Sequence, residues 1–73
     1  MRHPTRREEY DDQQSAIAHT RTNVQTTPKG HPAYADRLNM LRIAYRNLIE
    51  ISPAKDRAYW IAQRDEILAQ AAK

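Results

Sequence analysis

The sequence predicts an all-α protein, an antiparallel helical hairpin preceded by a weaker N-terminal helix and a flexible N-terminal arm. Three observations predict it. Large apolar side chains recur at spacings of three and four between Tyr34 and Leu48, the period of one helix face. A second apolar and alanine-rich stretch follows after only Ile51-Ser52-Pro53. The single glycine and two of the four prolines collect in Thr26-Thr27-Pro28-Lys29-Gly30-His31-Pro32, which reads as a loop. The chain therefore divides near residue 31, into a flexible, partly helical segment 1–31 and a helical hairpin domain 32–73.

The arm comes first. Residues 1–5 offer little to bury and are predicted to be mobile, as is the Thr26–Gly30 loop. Thr5-Arg6-Arg7-Glu8 fits a capping box, in which the Thr and Glu side chains satisfy exposed backbone donors. Tyr10, Ile17 and Val24 then follow at seven-residue spacing. That stripe is thin, and Thr20, Thr22, Thr26 and Thr27 are poor helix formers. A short helix near residues 6–20 is expected, marginal unless it docks.

The second helix is predicted from Pro32 to about Glu50. Proline suits a first helical position, where its missing N–H costs nothing. Tyr34, Leu38, Leu41, Tyr45 and Leu48 share one narrow face. Arg42, Arg46, Asn39 and Glu50 lie towards the other side, and Ile43 sits about 180° from Tyr34. Ser52 is expected to cap the third helix, with Pro53 as its first residue and an end near Ala71. Trp60, Ile61, Ile67 and Leu68, with Ala54, Ala58, Ala62, Ala69 and Ala72, give that helix an apolar arc wider than one neighbour can cover. Two helices of nearly equal length joined by so short a turn fold back antiparallel.

Seventy-three residues make at most one small domain, and one of that size is marginally stable. No Cys is present, so disulfides cannot reinforce it. No apolar run follows Met1, so no secretory signal is expected. No stretch approaches the roughly 20 apolar residues of a membrane span, and a cytoplasmic location is expected. The formal charge is +3 and the pI about 9.6. Nine of the twelve basic residues are Arg, whose planar fork suits carboxylate and phosphate. GC-rich coding accounts for part of that bias. The rest favours acidic partners, whether protein or nucleic acid.

Enzymatic motifs are missing. His3, His19 and His31 are widely separated and form no metal-ligand pattern, so no metal or cofactor is expected. Ser15 and Ser52 are the only serines. The paired acids Glu8-Glu9, Asp11-Asp12 and Asp65-Glu66 point about 100° apart on a helix and do not converge. A chain this small is expected to lack a substrate-enclosing cavity of a few hundred Å3. The chain is read as a non-enzyme.

Five residues are the candidates for partner binding: Arg42, Ile43, Arg46, Tyr59 and Arg64. The two helix-2 arginines face outward beside Ile43, although Arg46 can also pair locally with Glu50. Tyr59 falls off the apolar arc, whereas Tyr45 and Trp60 are expected in the core. Arg64 falls inside the arc, where its stem either snorkels over the core or faces a partner. Acidic residues interleave with basic ones throughout, which dilutes attraction to duplex phosphates.

The chain resembles the small bacteriophage proteins that bind host RNA polymerase and inhibit or redirect transcription. The resemblance lies in length, basicity and Arg-rich helical character, with a polar front, Met1-Arg2-His3-Pro4-Thr5-Arg6-Arg7, and a compact helical rear from Tyr34 to Leu68. It implies binding to a large polymerase subunit, interference with promoter recognition and antitermination as a further outcome, in the host cytoplasm. It carries over no site residues. The alternative is a small DNA-binding transcriptional repressor, and a third is an adaptor subunit of a phage particle.

Overall fold

A computed structural model describes residues 6–73. Three α-helices and no strand are found there: α1 Arg6–Thr26, α2 Tyr34–Ile51 and α3 Ala54–Ala71. The expectations for the arm, and for Thr5 in a capping box, lie outside the described residues. The all-α class holds, and α2 and α3 form the short-turned hairpin. They begin at Tyr34 and Ala54 rather than at Pro32 and Pro53, within the usual fraying of helix ends.

The first helix departs most from expectation, running to Thr26 instead of stopping near residue 20. Its threonines turn their hydroxyls back onto the preceding turn. Thr20 donates to the Ala16 carbonyl at 2.7 Å, Thr22 to Ala18 at 2.9 Å and Thr26 to Thr22 at 2.8 Å. Their competition with the helix is thereby satisfied inside it. Docking supplies the larger effect, because Ile17 and Val24 are both buried. A helix of poor intrinsic propensity persists when an apolar stripe packs on a neighbour.

The core consists of Ile17 and Val24 from α1 with Leu41, Tyr45 and Leu48 from α2. Tyr10, Tyr34, Leu38, Ala44, Ile49, Trp60 and Ile67 pack around it. The segment before residue 31 and the hairpin after it thus share one core. The Tyr34–Leu48 stripe is its inner seam, as predicted. Each fully buried aliphatic side chain contributes about 1.5–3 kcal/mol.

The helices run up, down and up. Tyr10 near the start of α1 meets Asp56 and Trp60 near the start of α3. At the opposite end, the Lys29 ammonium donates to the carbonyls of Gln70 at 3.1 Å and Lys73 at 2.6 Å. Carbonyls at a helix C-terminus have no intrahelical donor, so Lys29 caps α3. Thr27 is buried. Its hydroxyl donates to the Asn23 carbonyl at 2.6 Å and accepts from the Arg37 guanidinium. The loop predicted to be mobile is therefore tied at two points.

Ser52 corrects another expectation. It is the C-cap residue of α2, and α3 has no side-chain N-cap bond. The Ser52 hydroxyl donates instead to the Leu48 carbonyl at 2.6 Å. Its own carbonyl accepts from the Arg57 guanidinium at 3.3 Å. The turn is thus closed from the α2 side, with Pro53 extended at φ −57°, ψ 150°.

The molecule measures 42 × 29 × 14 Å. The short dimension is close to the roughly 10–12 Å diameter of a single helix. The helices consequently form a thin layer in which each keeps one face in solvent.

Candidate functional site

The outward face of α2 collects three of the five candidate residues. Arg42 and Arg46 are exposed one turn apart, and Ile43 between them is 49% exposed. The Arg46 guanidinium stands 3.6 Å from the Glu50 carboxylate, the local pair expected from their spacing. Both side chains are largely solvated, so that pair holds Arg46 weakly. Met40, 63% exposed, lies one turn from Ile43 on the same side of the helix. It escaped the sequence reasoning, although its position outside the Tyr34–Leu48 seam carried the signal. The face therefore offers two adjacent apolar side chains beside two guanidinium groups.

The other two candidates lie on α3 and are engaged differently. Tyr59 is 61% exposed, as expected, and its ring meets that of Trp60 edge-on at 4.9 Å. Its oxygen accepts a hydrogen bond from the Gln63 amide at 3.2 Å. Arg64 is half-buried and turns its guanidinium onto Asp65, Nε at 3.1 Å and Nη2 at 2.9 Å. Among the described residues no hydrogen bond or ion pair joins Tyr59 or Arg64 to the α2 face.

Gln63 also links α3 to the core. The Tyr45 hydroxyl donates to Gln63 Oε1 at 2.7 Å. Burial pushes this hydroxyl above the ordinary tyrosine range, and the Arg21 guanidinium beside it opposes the shift. Tyr45 therefore joins α1, α2 and α3 through its polar tip while its ring fills the core. Sequence reasoning put Tyr45 in the core but gave no sign of this junction, because its partners are 18 and 24 residues away.

A second polar junction lies nearer the start of α3. Trp60 Nε1 donates to the Tyr10 oxygen at 2.7 Å, and the Tyr10 hydroxyl donates to Asp56 at 3.1 Å. Trp60 packs against the core as expected, but its polar atom serves α1.

Beside this junction a cleft of about 500 Å3 opens between the start of α1 and the α2–α3 turn, lined by Arg6, Arg7, Tyr10, Ile51, Ser52, Pro53, Lys55 and Asp56. The expectation for so small a chain concerned a substrate-enclosing cavity, which this open cleft is not. The cleft is a gap between splayed elements rather than an enclosed cavity, so it needs no large core to form it.

No nucleophile and base converge there. The Ser52 hydroxyl is spent on Leu48, and the Asp56 carboxylate accepts from Tyr10. Among the described residues no His and carboxylate groups cluster as metal ligands. No described helix is long and apolar enough to cross a membrane. Comparison with protein-family models, with curated proteins and with solved structures yields no match.

Proposed function

We propose that this protein is a small non-enzymatic regulator that binds a larger protein through the outward face of α2, and that the partner is bacterial RNA polymerase. The observation that carries the proposal is the exposed pair Met40 and Ile43 beside Arg42 and Arg46. Apolar side chains supply desolvation at a protein interface, while guanidinium groups supply orientation by forked contacts to carboxylates. An acidic, partly apolar patch on the partner is the complementary surface. The choice of polymerase rests on the resemblance in size, basicity and helical character. The expected outcome is inhibition or redirection of transcription.

The test uses purified bacterial RNA polymerase, a promoter template and increasing amounts of the protein. Co-migration with polymerase and a dose-dependent change in transcript yield are expected. The double variant Arg42→Glu with Arg46→Glu should lose both effects while keeping the helical circular dichroism, because both side chains are solvated. Binding by that variant equal to wild type would reject the α2 face. Neither co-migration nor altered transcription would reject the partner. Tight, salt-sensitive binding to the naked template would instead identify a DNA-binding repressor.

A further inference from the structure

We infer that the cleft between the start of α1 and the α2–α3 turn binds a phosphate monoester carrying a flat or apolar group, the chemistry of a nucleoside monophosphate. Three cations line one opening there, Arg6, Arg7 and Lys55. Among the described residues, the ion pairs of Arg46 with Glu50 and Arg64 with Asp65 involve none of these three cations. Arg57, by contrast, is committed to the turn carbonyl. Like charges that outnumber the acid beside them repel one another, and an anion entering between them relieves that repulsion.

The charge count selects the anion. Three positive side chains and the one negative side chain, Asp56, leave +2 at the cleft. A phosphate monoester carries about −1.5 to −2 near neutral pH, whereas a carboxylate or a single backbone phosphodiester carries one negative charge. Two guanidinium groups and an ammonium also supply more donors than a two-oxygen carboxylate can accept, but suit three phosphate oxygens. The Asp56 Oδ2 atom accepts a hydrogen bond from the Tyr10 hydroxyl at 3.1 Å.

The remaining walls select what the phosphate carries. Tyr10, Ile51 and Pro53 present ring and aliphatic surface to the same opening. A volume of about 500 Å3 lies within the roughly 300–1,000 Å3 usual for small-molecule sites. The cleft therefore has room for more than the anion, and its walls suit a planar base. This site is separate from the α2 face and does not depend on the polymerase proposal.

The experiment is a 1H–15N NMR titration of the full chain with AMP, with adenosine, inorganic phosphate and a short DNA duplex as parallel arms. Saturable AMP shifts confined to Arg6, Arg7, Tyr10, Ile51, Lys55 and Asp56 are expected, with weaker phosphate shifts at the same residues. The triple variant Arg6→Ala, Arg7→Ala, Lys55→Ala should bind AMP at least about tenfold more weakly, since each charged hydrogen bond lost is worth about a factor of ten or more. Its fold should persist, because these side chains hold no other element. The double variant Arg42→Glu, Arg46→Glu should keep the AMP shifts whatever becomes of polymerase binding. The inference is overturned if AMP shifts do not saturate, or if adenosine binds as well as AMP. It is equally overturned by tighter binding of the duplex through these same residues, which would assign the cleft to a nucleic-acid backbone.

Discussion

Helices α1 and α3 flank the same central helix, yet they are held to it in different ways. The first buries Ile17 and Val24 against α2. The third buries no residue completely. Trp60 and Ile67 reach the core only as half-buried side chains, and polar bonds at Tyr10, Asp56, Gln63 and Lys29 do much of the remaining anchoring. The pairing is unexpected from composition, since α3 is richer in large apolar residues and alanine than α1. What matters is how closely the stripe packs on a neighbour, and α1 lies against α2 over much more of its length than α3 does.

The comparison breaks outright if the α1–α2 seam is not the main source of stability. Leu41→Asp puts a charge at a fully buried position with no partner, where desolvation costs several kcal/mol. Against the marginal stability of so small a domain, we expect complete loss of cooperative melting by circular dichroism. An unchanged melting temperature would reject this core.

A smaller pair of substitutions compares the two flanking helices directly. Ile17→Ala should cost about 2–5 kcal/mol, as full truncations in a core do. Ile67→Ala removes the same kind of side chain from a half-exposed site and should cost about 1 kcal/mol. Chemical denaturation of the two variants measures the difference, and equal losses would remove the distinction between α1 and α3.

The polar anchoring is sharpened by Tyr10→Phe. It deletes the oxygen that accepts from Trp60 and donates to Asp56, leaving partners that water can reach. A loss of about 1 kcal/mol is expected, with a change in Trp60 fluorescence. Unchanged fluorescence would mean that the junction is not made in solution.

The smallest effect concerns pH. Burial raises the Tyr45 hydroxyl above its unfolded value of about 10, so the folded state holds this proton more tightly. Its contribution is fully present below pH of about 10 and is lost as pH rises through the folded value. Wild type should therefore lose stability in strong alkali more steeply than Tyr45→Phe, and identical pH profiles would place Tyr45 in a more solvated setting.

The candidate surface was legible where it depended on one helix. Arg42, Ile43 and Arg46 follow from the angular position of each residue relative to the Tyr34–Leu48 stripe. Met40 follows from the same wheel and was passed over. Arg64 did not resolve, because helix angle alone cannot tell whether a guanidinium turns to a neighbour such as Asp65. The cleft was invisible, since Arg6 and Lys55 are distant in sequence.

By itself the sequence determined the helical class, the α2–α3 hairpin and the seam built on Leu41, Tyr45 and Leu48, because a period near 3.6 and the Pro53 break are local properties of the chain. Only the tertiary structure decided that α1 runs to Thr26, that Ser52 bonds back to Leu48, and that Tyr45, Gln63 and Arg21 meet at one point. A thin stripe becomes a stable helix only when another surface covers it, and a hydroxyl chooses among acceptors only after the chain has brought them within reach.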